Sequence, residues 1–104
     1  MKMIRAIIRP EKEEEVLKSL ELAGFPSVTK MDVLGRGKQK GIQIGTAIYD
    51  ELVKTMILVV VEDSIVEKAM TAISDSARTG NFGDGKIFVS NVESSITIRT
   101  GIAA

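Results

Sequence analysis

The sequence predicts a single α+β domain in which two strand–helix–strand units share one sheet. Strand-like alternation over residues 4–9 is followed by helical spacing over residues 16–23, and the same order recurs between residues 56 and 92. Right-handed crossovers interleave two such units into a four-stranded sheet with both helices on one face. This is the ferredoxin-like βαββαβ sandwich, to which Ile96 and Ile98 would add a short C-terminal strand.

The first unit contains two strands joined by an acidic helix. Isoleucine and alanine alternate with mostly charged residues over 4–9, as expected for a strand with one buried face. Pro10 suits the first turn of a helix, and the glutamates after it complement the positive end of the helix dipole. We interpret this acidic run as a solvated helix face. Gly24 would end the helix, and alternation over residues 29–34 predicts the second strand.

The second unit begins with a continuous apolar run over residues 56–61, which predicts a central strand or one covered on both faces. Ser64 and Glu67 fit a capping box at the start of a second helix, and a strand over residues 87–92 follows. With both helices on one face, Ile7 and the 56–61 run leave the other face too apolar for a monomer. The sequence therefore predicts an oligomer.

Composition narrows the classes of function. The chain has 104 residues, 14 basic and 14 acidic side chains, and neither cysteine nor histidine. Zero net charge argues against non-specific binding to nucleic acid or to a membrane surface. The missing residue types exclude disulfides, thiol nucleophiles, imidazole bases and the usual zinc sites. No apolar run approaches the ~20 residues of a membrane span, and no signal sequence follows Met1. We expect a cytoplasmic protein, and the missing residue types argue against an enzyme because catalysis would have to use carboxylates, lysines or a bound metal.

A glycine-rich connection joins the second helix to the strand after it. Gly80, Gly83 and Gly85 allow positive φ and a close approach of backbone amides to an anion, and Lys86 adds a cation. The spacing from Gly80 to Lys86 matches a P-loop, but Ile87 stands where Ser or Thr should bind magnesium, and a strand follows instead of a helix. The pattern fits either a phosphate site of another geometry or a plain turn between helix and strand.

A second loop, over about residues 37–53, connects the two units. Connections of this length in a compact domain are usually functional or disordered. Its first part alternates glycine with long cationic and amide side chains, which suits an anion. The rest has little to bury, so we expect a loop that stays mobile until a ligand or partner orders it.

Four segments together resemble the PII-type nitrogen regulatory proteins, and the resemblance covers nearly the whole chain. They are Arg9-Pro10, Gly35-x-Gly37-Lys38-Gln39-Lys40-Gly41, Thr79-Gly80-x-x-Gly83-Asp84-Gly85-Lys86-Ile87-Phe88-Val89 and Ile98-Arg99-Thr100-Gly101. The resemblance implies a ferredoxin-like homotrimer with ATP or ADP in the clefts between subunits. It also implies sensing of 2-oxoglutarate through Mg²⁺ and ATP, and signalling through a long T-loop, here about residues 37–53.

The resemblance also assigns two sets of ligand-binding residues. The nucleotide site would comprise Ile7, Thr29, Gly35, Gly37, Lys38, Gln39, Val60, Gly83, Asp84, Gly85, Lys86 and, from the neighbouring subunit, Arg99. The 2-oxoglutarate site would comprise Gln39, Lys40, Gly41 and Lys54. Gln39 would also ligate Mg²⁺, and Lys54 would pair with the distal carboxylate. In the nucleotide set, Ile7, Thr29 and Val60 would line the adenine and ribose pocket.

Some features depart from the bacterial members of that family. The T-loop is shorter and lacks their Tyr-Arg-Gly-Ala-Glu-Tyr segment, Tyr49 lies near its returning base, and Thr97 replaces a usual arginine. The short loop resembles the nitrogenase-associated branch of anaerobic archaea, whose members act with a second, related PII subunit. This implies regulation of a nitrogenase component protein by a homotrimer, alone or joined by a second PII-type subunit. It implies neither nucleic-acid binding nor stable membrane insertion.

Other functions are compatible with the same residues. Within the family, the target could be another nitrogen-metabolism enzyme or an ammonium transporter, although the arginine segment that would enter a transporter pore is absent. A small nucleotide-hydrolysing enzyme would have to rely on Asp84 or Glu62, since the chain has neither a histidine nor a Walker serine. A purely structural ferredoxin-like subunit would bind no nucleotide.

Overall fold

The computed structural model describes residues 1–36 and 52–104. In these ranges the main elements are β1 (Lys2–Ile8), α1 (Glu13–Leu22), β2 (Thr29–Gly35), β3 (Leu52–Val61), α2 (Val66–Ala77) and β4 (Gly85–Asn91). Short 3₁₀ turns, Pro10–Lys12 and Asp63–Ile65, lead into the two helices. The strands β5 (Ile96–Thr97) and β6 (Ile102–Ala103) follow near the C terminus and pair with each other.

The four long strands form one antiparallel sheet in the order β2-β3-β1-β4. Each consecutive pair in the chain that is joined by a helix is separated in the sheet by one other strand, as in a ferredoxin-like fold. The predicted fold class is therefore confirmed. Central strand β1 places Ile7 opposite Met56 on β3 and opposite Lys86 on β4, so these three residues lie side by side on one face.

The two faces of this sheet have different surroundings. On the helix-covered face, the strand residues Ile4, Ala6, Ile8, Ile57, Val59 and Val61 pack with helix residues Val16, Leu20, Ala69, Ile73 and Ala77 in one core. On the opposite face, Met31, Val60 and Phe88 are exposed. Burial therefore alternates along residues 56–61, because the helices of the described ranges pack on one face of the sheet.

Three local predictions change in the structure. Ser64 does not cap α2, because the 3₁₀ turn Asp63–Ile65 places it before the true N-cap, Ile65, which makes no side-chain cap hydrogen bond. The predicted single C-terminal strand is a hairpin, since the turn after Thr97 returns the chain to pair β5 with β6. β3 begins at Leu52, so the last two residues of the predicted 37–53 loop are in a strand, and the others lie outside the described residues. No helix in the described ranges is both long and apolar enough to cross a membrane.

Candidate functional site

Glycine is required by the backbone in the connection between α2 and β4. Gly80, Gly83 and Gly85 have φ angles of 89°, 96° and 105°, in the region that other L-residues rarely adopt. Gly85 also packs against the neighbouring strand so closely that an added Cβ would lie 1.7 Å from the carbonyl oxygen of Ile7. The chain can reach β4 by this path only with glycine at position 85.

The carboxylate of Asp84 holds this connection in place. It accepts hydrogen bonds from the backbone amides of Thr79 and Gly80, each at 2.8 Å, and from the Thr79 hydroxyl. The Nε of Arg9 donates a further bond at 3.0 Å. The bonds from Thr79 above all, with help from Arg9 and Gly80, hold the pKa of Asp84 well below its usual range. Asp84 therefore stays ionised and organises the glycine loop, residues 79–85, from within.

Two cations from the sheet fix the carbonyl groups of the same loop. Nη2 of Arg9, directly after β1, donates to the Phe82 carbonyl at 2.6 Å, and Nζ of Lys54, on β3, donates to the Gly83 carbonyl at 2.7 Å. Burial lowers the pKa of Lys54, and the charge of Arg9 lowers it further. The carboxylates of Glu11 and Asp84 act in the opposite direction, so the charge of the two cations is partly balanced within the chain.

A cavity of about 540 Å³ opens beside the glycine loop. It is lined by Ile7, Gly35, Arg36, Leu52, Lys54, Phe82, Gly83, Gly85, Lys86 and Phe88. Arg36, Lys54 and Lys86 supply positive charge, while Ile7, Leu52 and the two phenylalanines supply apolar surface. This combination suits a ligand that is anionic at one end and apolar or aromatic at the other.

Comparison with known proteins identifies the family. The family model described as Nitrogen regulatory protein P-II matches residues 1–102. The chain belongs to the P-II family. P-II proteins are regulatory signalling proteins and not enzymes, which confirms the predicted non-catalytic role.

Three relatives are similar to this protein over most of its length. The Nitrogen fixation nifHD region GlnB-like protein 1 of Methanothermobacter marburgensis is 60% identical over 100 residues, 96% of this chain and 95% of the relative. The nifHD2 region GlnB-like protein 1 of Methanosarcina barkeri is 57% identical over 101 residues, 97% and 96% of the two chains. The Nitrogen regulatory protein P-II of Bradyrhizobium diazoefficiens is 46% identical over 105 residues, 97% and 94% of the two. These similarities confirm the resemblance to the nitrogenase-associated archaeal branch.

The structure brings together six of the residues predicted to bind ligands in this P-II protein. Ile7, Gly35, Lys54, Gly83, Gly85 and Lys86 all line the cavity. Asp84 lies behind it, and its carboxylate is engaged by the loop, so only its backbone amide is suited to a phosphate. Gly37, Lys38, Gln39, Lys40 and Gly41 lie outside the described residues.

The other three predicted residues lie away from the cavity. Val60 is four positions along β3 from Met56, the partner of Ile7, which is roughly 13 Å at the rise of a strand. Thr29 is on the edge strand β2, opposite Leu58. Arg99 is in the turn between β5 and β6. None of the three reaches the cavity within its own chain.

Sequence reasoning missed four cavity residues and the anchoring role of a fifth. Arg36, Leu52, Phe82 and Phe88 line the cavity, and Arg9 holds the loop. Phe88 could have been found, because it lies two residues after Lys86 on the same strand and therefore on the same face. The role of Arg9 had no local signal, since Asp84 is 75 positions away.

Proposed function

We propose that this P-II protein is a nitrogen-status sensor that binds ATP or ADP and 2-oxoglutarate and regulates nitrogenase through its T-loop. One observation supports this most directly. The cavity is lined by Gly35 and Arg36, where β2 ends, and by Leu52, where β3 begins. A ligand in the cavity therefore touches both ends of the connection that carries the T-loop. A ligand that binds one conformation of that connection more tightly than another would shift the protein toward that conformation, and this shift would be the signal.

The cavity residues fit a nucleoside polyphosphate. Lys86 and the amides of Gly83 to Gly85 would bind phosphates, and Ile7 would contact the base and ribose. Lys38, Gln39 and Gly37 would approach the phosphates from the T-loop. Arg36, unassigned by the sequence, adds a third cation at the cavity wall.

Magnesium and 2-oxoglutarate would bind next to the phosphates. Within the described ranges, no group of three or more His, Cys, Asp or Glu side chains is arranged to hold a metal ion. Phosphate oxygens and the Gln39 amide would hold Mg²⁺, which prefers oxygen ligands and would join the nucleotide to 2-oxoglutarate. Lys40 and Gly41 would lie beside the 2-oxoglutarate, and Lys54 would neutralise its distal carboxylate.

A homotrimer would complete the site. Thr29, Val60 and Arg99 lie away from the cavity of their own chain, so a neighbouring copy would have to bring them to it. The apolar sheet face around Met31 and Val60 is open and suits an interface with another copy. The ring would act alone or with a second P-II-type subunit.

The proposed target is a nitrogenase component protein in the cytoplasm. Support comes from the names of the relatives, in which this protein's archaeal counterparts are nitrogen fixation nifHD region proteins. Control of an ammonium transporter or of another nitrogen-metabolism enzyme would use the same ligand site and differ only in the partner.

Calorimetric titration tests the ligand part of the proposal. We expect MgATP to bind, 2-oxoglutarate to bind only with MgATP, and ADP not to support 2-oxoglutarate binding. Linkage then requires MgATP and 2-oxoglutarate to strengthen each other's binding by the same factor. Lys54→Gln keeps a donor for the Gly83 carbonyl but removes the charge. This variant should no longer bind 2-oxoglutarate but should still bind ATP. Gln39→Ala should do the same. Equal binding of 2-oxoglutarate without nucleotide would contradict the mechanism.

A pull-down of nitrogenase components tests the target. The components should bind the protein with ADP or with ATP alone and be released on adding 2-oxoglutarate with MgATP. The Lys54→Gln variant should retain them under all of these conditions. If the protein bound its ligands but captured no nitrogenase component, the result would contradict the proposed target and favour an ammonium transporter or another nitrogen-metabolism enzyme.

A further inference from the structure

We infer that Phe82 is a specificity-determining residue for the dicarboxylate, whose ring covers the carbon chain next to the carboxylate bound by Lys54. This inference rests on the proposed function and deepens it. Phe82 lines the cavity, yet the residue is 71% exposed and does not belong to the buried core that the described residues form.

The backbone of Phe82 is held on both sides. Arg9 donates to its carbonyl at 2.6 Å, and Lys54 donates to the next carbonyl, that of Gly83, at 2.7 Å. Gly83 has a φ of 96°, which fixes the direction in which the chain leaves Phe82. A large apolar ring is thus presented from a firmly anchored main chain, an arrangement that suits a preformed contact with a ligand.

The ammonium group of Lys54 determines which part of the ligand meets the ring. It has three N–H donors, and the Gly83 carbonyl takes one of them. A carboxylate bound by the remaining donors lies beside the backbone of residues 82 and 83. The methylene groups that follow this carboxylate then lie between the Phe82 ring and Leu52, which lines the same cavity.

Such a contact distinguishes dicarboxylates by chain length. The five-carbon 2-oxo acid has two methylene groups between its distal carboxylate and its keto carbon, whereas four-carbon oxaloacetate has one. Removing apolar surface from water stabilises the longer chain against the ring and Leu52. With the distal carboxylate held by Lys54, the shorter acid loses this contact or fails to reach the other end of the site.

The test compares two dicarboxylates on three variants at saturating MgATP. Calorimetry would measure 2-oxoglutarate and oxaloacetate binding to the full-length protein and to Phe82→Ala, Phe82→Leu and Leu22→Ala. Leu22 is 78% exposed at the end of α1 and is absent from the cavity lining, so it is a matched control for loss of an exposed apolar side chain.

We expect Phe82→Ala to weaken the binding of 2-oxoglutarate by about tenfold and that of oxaloacetate by less than about threefold, because only the longer chain contacts the ring. MgATP affinity should stay within about twofold, as expected if the ring contacts only the dicarboxylate. Phe82→Leu should restore most of the affinity, and Leu22→Ala should change nothing.

Three results would overturn the inference while leaving the proposed function intact. They are unchanged 2-oxoglutarate affinity in Phe82→Ala, equal weakening of both dicarboxylates, and a parallel loss of MgATP affinity. If the unmodified protein bound no 2-oxoglutarate with MgATP, the proposed function itself would fail, and the inference with it.

Discussion

The glycine loop, residues 79–85, and the C-terminal hairpin, β5 to β6, are both short irregular regions, but their surroundings differ. In the glycine loop, the Asp84 carboxylate and two carbonyl groups are bound by residues of the same chain. In the hairpin, Ile96, Ile98 and Ile102 are 67%, 96% and 66% exposed. In the proposed function, one chain would therefore build the phosphate side of the site, whereas the side carrying Arg99 would need a second surface.

The largest effect should come from removing the glycine that lets the loop pack on β1. Gly85→Ala places a Cβ 1.7 Å from the Ile7 carbonyl oxygen at a φ of 105°. We expect a loss of about 3–5 kcal/mol in the free energy of unfolding, measured by chemical denaturation. Gly80→Ala is the control, since its φ is 89° but no atom of the described residues lies within 4 Å of the added Cβ, and it should cost only about 1–2 kcal/mol. Equal costs would show that the close approach to β1 is not what demands glycine.

A smaller, pH-dependent effect should follow from removing the charge within the loop. The folded-state pKa of Asp84 is lowered, so its stabilisation is fully present above the unfolded pKa of about 4 and is lost as the pH falls toward the folded value. Asp84→Asn should therefore destabilise the protein at pH 7, and its difference from the unmodified protein should narrow below about pH 4. Denaturation midpoints from pH 2 to 7 measure this. A difference that is constant across this range would contradict the role of the charge.

Binding, not folding, should respond to Lys86. Charge-assisted contacts to phosphate are worth roughly 1.5–3 kcal/mol, so Lys86→Ala should weaken ATP binding by about tenfold or more. The unfolding midpoint should stay unchanged. Lys68→Ala, on the exposed side of α2, is the control. Mixing Lys86→Ala with Arg99→Ala subunits should restore some sites if they are shared between subunits. No recovery would place both residues in one subunit's site.

The smallest effect on the fold should come from the hairpin. Because Ile98 is 96% exposed, Ile98→Ser should change the free energy of unfolding of the single chain by no more than ~0.5 kcal/mol. Unfolding followed by far-UV circular dichroism under dissociating conditions measures this. It should nevertheless weaken assembly, measured by light scattering across a dilution series. A stable monomer of the unmodified protein at micromolar concentration would exclude both the trimer and the shared site.

Much of the fold was predictable because its signals are local. Alternation along β1 placed Ile4, Ala6 and Ile8 in the core, and the structure confirms this. The loop glycines were expected to allow positive φ, and Gly80, Gly83 and Gly85 adopt it. The capping box at Ser64 was wrong, because a local motif cannot show that a 3₁₀ turn will precede the helix.

The sequence by itself determined the order of the elements, the family and the residue types of the glycine loop, because periodicity and motif spacing are properties of neighbouring residues. Only the tertiary structure decided that Asp84 serves the loop and that Lys54 and Arg9 hold its carbonyl groups. It also decided that Phe82 lines the cavity while Val60 and Thr29 lie away from it. These contacts join residues far apart in the chain, and their partners are set by sheet register and by the path of the loop.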